Sequence, residues 1–288
     1  MSVLVTGSTG AFGSVLVKWL QNNSSEQIWR TGKKSLKEKG YYSCDLTNAP
    51  ETKSLIARLR PQLIFHLAGN YVDTHDLDYS INSLGAKHII GALIEEDINT
   101  RVILIGSAAE YGIVSPNENP IKENRVLCPV TVYGLSKAFQ TQLGIYFAQN
   151  SNIEILIARM FNLQTPGLSE KLFIGRMEKQ ITAFLRGEIN EIVAGNLDSQ
   201  RDYISADKAI EQLNMIAKKG KSGEVYHIAS GQPIKMKELL HKMLLDARID
   251  PSKIKEDIGA IGKIDYDVPV IYADMTKTNK LKTLMSHD

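Results

Sequence analysis

Ser2-Val3-Leu4-Val5-Thr6-Gly7-Ser8-Thr9-Gly10-Ala11-Phe12-Gly13 decides how this chain is read. Val3 to Thr6 forms an apolar, β-branched run that ends directly in three glycines at G-x-x-G-x-x-G spacing. Ser14 to Asn22 then places Val15, Leu16, Trp19 and Leu20 on one helical face. A glycine turn between a strand and a helix lets the backbone approach a pyrophosphate, whose charge the helix N-terminus stabilises. The spacing departs from the commoner G-x-G-x-x-G, so the strand-turn-helix context carries the reading. A purely structural turn is the competing explanation.

The pattern continues outward. Gln27 to Arg30 reads as a second strand, and Leu63-Ile64-Phe65-His66-Leu67-Ala68, closed by Gly69, as a strand buried on both faces. Ile81 to Glu95 reads as a helix, Val102 to Gly106 as a strand, Tyr133 to Gln149 as a long helix and Ile153 to Ala158 as a strand. Strands alternating with helices predict an α/β fold, a doubly wound parallel sheet of the Rossmann kind. After Asn162 the rhythm changes at Gln164-Thr165-Pro166-Gly167-Leu168. Helices over Phe173 to Arg186, Asp207 to Lys219 and Met236 to Asp246, strands over Ile192 to Ala194 and Val225 to Ile228, and a polar tail follow. The expected division is a dinucleotide-binding domain over 1–162 and a smaller substrate-binding lobe over 163–288, with some later segments packing back.

The 288 residues suffice for such a pair of bodies. A net charge of +2 gives no ground for a nucleic-acid or membrane surface. Two cysteines, Cys44 and Cys128, make no disulfide framework and suit a reducing compartment. With no secretory pattern and no apolar run of about 18 residues, a cytoplasmic protein is expected. No metal site is expected either. Cys128 reads as a small buried or semi-buried side chain sooner than as a reactive thiol.

Tyr133 and Lys137 stand four apart, on one face of the expected helix. A Lys beside a Tyr favours the phenolate, which predicts a lowered phenol pKa and a proton carrier near neutral pH. Ser107, at the carboxyl end of a parallel strand, faces the crevice where such sheets bind ligands; alone it reads as a strand-end cap. The second strand runs into Arg30-Thr31-Gly32-Lys33-Lys34 with no acid, which suits a 2′-phosphate and so NADP(H), unless it is only a solvated basic turn. His66 reads as a packed core histidine, and a local surface ion pair, worth little, is the bland alternative for Arg201-Asp202.

These residues together resemble the extended short-chain dehydrogenase/reductase family that acts on nucleotide-linked sugars. The likeness includes the glycine turn, Asp45-Leu46, His66-Leu67-Ala68-Gly69, Ser107 before Tyr111, and Tyr133/Lys137. It continues through Arg159-x-Phe161-Asn162, Gly195-Asn196-Leu197, Arg201-Asp202-Tyr203 and Val225-Tyr226-His227. The resemblance implies Tyr133 as general acid/base, Lys137 as its partner on the nicotinamide ribose, and Ser107 on the sugar carbonyl oxygen. It implies a cofactor wall of Gly7, Thr9, Gly10, Ala11, Phe12, Gly13, Arg30, Lys33, Asp45, Leu46, Leu67, Ala68 and Gly69. Ala108, Glu110, Asn162, Arg176, Asn196 and Arg201 would meet the sugar nucleotide, Arg201 at its diphosphate.

Dehydratases of the family supply an acid two positions after the catalytic Ser or Thr. This chain has Ala109 there, with Glu110 out of step and, on an extended segment, on the other face. Epimerase/reductases use a loop Cys that is absent here. The expectation is NADPH-dependent reduction of the C4 ketone of a GDP-linked 4-keto-6-deoxy sugar, hexose or heptose, resembling the GDP-4-keto-6-deoxymannose reductase group. Ala108, Ala109 and the Lys263-Ile264-Asp265-Tyr266 neighbourhood before Val268-Pro269 depart from that group. A dehydratase or epimerase with tightly bound NAD, and a non-catalytic NADP sensor, are the alternatives. Relatives dimerise through the two helices corresponding to Ile81–Glu95 and Tyr133–Gln149, which predicts a homodimer. Ile90, Ile94, Phe139, Leu143 and Phe147 serve either that seam or their own sheet.

Overall fold

The computed structural model describes residues 1–72, 74–257 and 268–285. The chain starts with β1 (Ser2–Thr6), α1 (Ala11–Asn23), β2 (Gln27–Gly32) and β3 (Tyr41–Ser43). Next come α2 (Ala49–Leu59), β4 (Leu63–His66), and a helical run of α3 (His75–Asp78), π-helical turns over Tyr79–Leu84, and α4 (Gly85–Glu95). Then follow β5 (Arg101–Ser107), a 3-10 turn at Ala108–Tyr111, α5 (Val132–Asn150), β6 (Glu154–Met160) and β7 (Asn162–Gln164). Beyond these lie α6 (Phe173–Leu185), β8 (Ile192–Ala194), β9 (Gln200–Ser205), α7 (Ala206–Lys219), β10 (Val225–Ile228), β11 (Pro233–Lys235) and α8 (Met236–Asp246). The chain closes with β12 (Ile254–Glu256), β13 (Val270–Ile271) and α9 (Thr276–Met285).

Seven parallel strands form the central sheet in the order β10-β6-β5-β4-β1-β2-β3. Order reverses between β1 and β4, and the carboxyl ends on either side of that point open the crevice typical of such sheets. One face packs Val3, Val5, Phe65 and Ile103 against α1 and α7. The other packs Leu4, Ile64, Val102 and Leu104 against α2 and α4. Alternate residues of each strand therefore serve opposite cores, which is why these strands read as continuous apolar runs.

Two elements from beyond residue 162 belong to this first body. β10 pairs with β6 in register from Val225↔Ile157 to Ile228↔Met160. Ile210, Leu213 and Ile216 of α7 are fully buried in the same core as β1, each worth roughly 1.5–3 kcal/mol of apolar burial. A separate core joins α6, β8 and α8 through Ile174, Met177, Leu239 and Leu240. The small sheet β11-β9-β13, with β7 beside β9, links the two bodies. Lys263, Ile264, Asp265 and Tyr266 lie outside the described residues.

Candidate active site

A cavity of about 1370 Å³ runs from the glycine turn to α6 and β9. At its first end, Gly7 takes φ +63°, and a Cβ there would stand 2.7 Å from the Ala68 amide nitrogen. A Cβ on Gly13 would overlap the Gly7 carbonyl oxygen, so the turn closes only with glycine at both places. Gly10 is the N-cap of α1; it gives no side-chain cap, and no acid stands in the first turn. The N-terminal amides of α1 are thus left to an outside acceptor, and that fits a pyrophosphate. Gly10, Ala11, Phe12, Leu67 and Gly69 line the cavity with Gly7 and Gly13.

The expected base cluster is differently arranged. Arg30 Nη1 bonds Glu38 Oε2 at 2.8 Å, and its Nη2 bonds the Lys39 carbonyl oxygen at 2.9 Å. Lys33 Nζ lies 2.8 Å from Asp45 Oδ2, and Asp45 also accepts from Thr47. The Thr31 and Gly32 edge packs near Thr9, since a Cβ on Gly32 would lie 3.3 Å from Thr9 Oγ1. Leu46 is buried in the α2/α4 core, its carbonyl oxygen 2.9 Å from His88 Nδ1. Thr9, Arg30, Lys33, Asp45, Leu46 and Ala68 stand outside the main cavity wall.

At the middle, Ser107 ends β5 and caps the 3-10 turn, its Oγ accepting from the Ala109 amide at 3.2 Å. Tyr133 and Lys137 arrive on the first turns of α5, which Thr131 caps by accepting from the Gly134 amide. The Ser107 hydroxyl and the Tyr133 phenol line the same cavity. Burial pushes the Tyr133 phenol up to about 12; the Ser107 hydroxyl opposes that shift and Glu110 adds to it. This corrects the expectation of a phenol lowered by Lys137. The Lys137 ammonium turns to the Ile105 carbonyl oxygen at 2.6 Å and Gln140 Oε1 at 2.9 Å. Burial lowers Lys137 to about 8, with Glu110 acting the other way.

Glu110 also requires correction. It is wholly buried and does not reach the cavity, because the 3-10 turn aims its carboxylate inward at Arg159 Nη2, 2.8 Å away. Ala108 and Ala109 line the cavity in its place.

At the far end, Asn162, Arg176, Asn196 and Arg201 all line the wall, although they come from four different elements or loops. Arg176 Nε is buried with no hydrogen-bond partner among the described residues, which suits an anionic ligand there. Arg176 and Arg201 both act on Tyr203, opposing the rise to about 12 that burial imposes on it. Strand alternation turns Asp202 the other way, and it accepts from the Ser230, Gly231 and Ala273 amides and the Ser230 hydroxyl. Arg201-Asp202 is therefore not a local ion pair.

The sequence reading passed over Tyr71. Its ring meets Tyr133 edge-on with centroids 4.8 Å apart. The loop carrying it is held by buried Asn82, whose Oδ1 accepts from the Asn70 amide at 2.8 Å, and by buried Asp78, which accepts from the Val72 amide at 3.0 Å. The available signal was polar Asp78 and Asn82, four apart, before an apolar helix. His66 is a core residue: Nδ1 meets Thr6 Oγ1 at 2.9 Å, and burial lowers it to about 3. Of the candidate seam residues, Ile94 and Phe139 are exposed, Ile90 is fully buried in its own core, and Phe147 packs against that core.

A parallel seven-stranded sheet, a glycine turn on its first helix and a Ser/Tyr/Lys cluster at its carboxyl edge define an extended short-chain dehydrogenase/reductase. Residues 3–229 match the NAD dependent epimerase/dehydratase family, and the chain belongs to it. It is 28% identical to the GDP-6-deoxy-D-mannose reductase of Pseudomonas aeruginosa over 66% of this chain and 64% of that one. It is 23% identical to the GDP-6-deoxy-D-talose 4-dehydrogenase of Aggregatibacter actinomycetemcomitans over 96% of this chain and 90% of that one. The solved structure of RMD from Pseudomonas aeruginosa complexed with NADPH superposes with a TM-score of 0.85 at 23% identity, over 98% of this chain and 92% of that one. A dTDP-glucose 4,6-dehydratase from Streptomyces venezuelae with NAD bound gives 0.84 at 17% identity, over 97% and 90%. No helix among the described residues is long and apolar enough to cross a membrane.

Proposed function

We propose that the chain is an NADPH-dependent 4-reductase of a GDP-linked 4-keto-6-deoxy sugar, hexose or heptose, working in the cytoplasm on precursors of surface polysaccharide. The observation that carries this reading is the cavity wall beside Tyr133. Ser107 and Tyr133 line it side by side, the Ser107 hydroxyl favouring the phenolate, and the position where dehydratase relatives carry an acid is Ala109. Among the described residues no carboxylate lines this wall, so the acid that dehydratase relatives use on the proton beside the ketone has no counterpart there.

When bound, the nicotinamide supplies hydride to C4. Ser107 orients the ketone oxygen and Tyr133 delivers its proton. Lys137 holds positive charge beneath the ribose position, next to Gly69. Arg201 and Arg176 meet the diphosphate with charge-assisted hydrogen bonds. Arg30 and Lys33 would exchange their carboxylate partners Glu38 and Asp45 for the 2′-phosphate. Those existing pairs favour one second reading, an isomerase or lyase with tightly held NAD. Two subunits would associate through the exposed sides of α4 and α5, near Ile94 and Phe139.

The test is NADPH oxidation by the purified protein across GDP-, CDP-, UDP- and dTDP-linked 4-keto-6-deoxy sugars. Oxidation with the GDP sugars, lost on Tyr133→Phe while NADPH still binds, is expected. Protein that purifies with stoichiometric NAD and needs no reductant would overturn it.

A further inference from the structure

A polar network closed off from solvent lies directly behind the Ser107 turn. Arg159 Nη2 and Nε reach Glu110 Oε2 at 2.8 and 3.0 Å, and Thr141 Oγ1 donates to the same oxygen at 2.9 Å. The other oxygen, Oε1, accepts from the Ser107 backbone N–H at 2.6 Å. A Cβ on Gly106 would lie 2.6 Å from Oε1, and one on Gly134 would lie 2.5 Å from the Ala109 carbonyl oxygen. The carboxylate is thus wedged against the end of β5, and the first turn of α5 closes on the same 3-10 turn.

Glu110 supplies the second half of a capping box on this turn, a contact that an uncharged carboxamide oxygen would also make. Ser107 Oγ already caps it through the Ala109 amide, the ordinary device for such a position. A buried ion pair is weak evidence for stability, because desolvation cancels much of the attraction. Its position relative to the site is the more telling fact. Glu110 acts on both Tyr133 and Lys137, favouring the protonated form of each.

Resting on the reading of Ser107, Tyr133 and Lys137 as the reacting cluster, we propose that Glu110 is a positioning residue for that cluster. One oxygen fixes the strand end from which the Ser107 hydroxyl projects. The charge, fixed in place by Arg159 and Thr141, holds protons on Tyr133 and Lys137 from behind the sheet edge.

The charged and titratable groups facing this carboxylate are Arg159 on β6, Tyr133 and Lys137 on α5, and Tyr111 next to it in the turn. Tyr111 also faces Glu123 and bonds His227 on β10, which burial keeps neutral, near 3. Lys137 further faces His66 on β4, likewise neutral. Tyr133 further faces Tyr71 and Asp78. Glu110 is thus the carboxylate common to both reacting groups.

Two substitutions separate reach from charge. Glu110→Asp keeps the charge but falls one methylene short of the Ser107 amide. Glu110→Gln combined with Arg159→Met keeps the acceptor oxygen and removes both buried charges, so that neither is stranded. Folding of each is checked by melting and by NADPH fluorescence quenching. For Glu110→Asp, kcat should fall about tenfold or more with KM for NADPH and the alkaline limb unchanged. For the double variant, the alkaline limb of kcat/KM should move down by about half a pH unit or more, because Glu110 is the member of the ion pair that acts on both Tyr133 and Lys137, and its loss lowers both pKa values. The ¹³Cε titration of Lys137 in the substrate-free protein, assigned by its loss in Lys137→Arg, should move with it. That NMR arm reads the inference even if the wild type reduces none of the sugars, an outcome that counts against the reductase reading alone. A folded double variant with an unmoved Lys137 titration, or a Glu110→Asp variant with wild-type kcat, overturns the proposal.

Discussion

Lys137 Nζ donates to the Ile105 carbonyl oxygen at 2.6 Å, joining the first turns of α5 to the strand whose end carries Ser107. That bond and the one to Gln140 satisfy an ammonium that is only 5% exposed. Burial still brings it from 10.5 to about 8, a shift worth roughly 3 kcal/mol at 1.36 kcal/mol per unit. Because the folded pKa lies below the unfolded one, this penalty is complete below about 8 and fades as pH rises toward 10.5. Activity that needs the ammonium should fall as pH rises through about 8.

Lys137→Met should therefore melt at pH 7 no lower than the wild type, since Gln140 Nε2 still bonds the Ile105 oxygen. Turnover should drop by about 100-fold or more. Calorimetry beside steady-state kinetics checks both. A melting temperature several degrees below wild type would show that the buried charge supports the fold.

Arg201 and Asp202 are adjacent but should fail in opposite ways. Arg201→Ala removes a side chain from the cavity wall, so KM for the sugar nucleotide should rise about tenfold or more with little change in melting. Asp202→Ala strands three backbone amides and the Ser230 hydroxyl, and should cost about 3 kcal/mol or more of stability. Denaturant unfolding and substrate titration separate the two outcomes.

Gly13→Ala tests the cofactor turn. The new Cβ collides with the Gly7 carbonyl oxygen, which cannot yield without opening the approach of Gly7 to Ala68. NADPH affinity should fall about tenfold, with a stability loss of about 1–3 kcal/mol. Fluorescence titration gives the first quantity and thermal melting the second. An alanine variant that binds NADPH normally would remove the close approach from the argument.

His66 and His227 make the fold acid-sensitive. Burial lowers both from 6.5 to about 3, so each is neutral in the folded chain and takes up a proton on unfolding below pH 6.5. Their contribution is complete above 6.5 and is lost as pH falls toward 3. The melting temperature should decline between pH 6.5 and 5 with a slope near two protons, and His66→Asn should reduce that slope by about one.

The strands of the central sheet were legible because both faces are buried, which writes apolar runs into the sequence at Leu63–Phe65 and Val102–Ile105. α2 escaped notice because Leu55, Ile56 and Leu59 are few apolar signals in a charged segment. α9 read as a polar tail because Leu281 and Thr278 alone of its described side chains are fully buried. Ser107 stands out because it terminates one of those runs, at the carboxyl end of β5. The direction of Glu110 depends on a 3-10 turn, and that of Asn82 on π-helical turns. Neither has a periodicity that a sequence announces. The aim of Lys137 was also invisible, since i,i+4 spacing says which face it shares with Tyr133 but not which acceptor its ammonium finds.

β10 gives the nucleotide-binding sheet a dependence on the order of synthesis. Its residues emerge from the ribosome more than sixty positions after β6, so β6 must wait with an open edge while α6, β8, β9 and α7 are made. A chain stopped at residue 162 would present that edge and the uncovered apolar face meant for α7, the two features that invite strand addition by another copy. The parallel sheet and its α7-side core are therefore completed only by residues made well after residue 162.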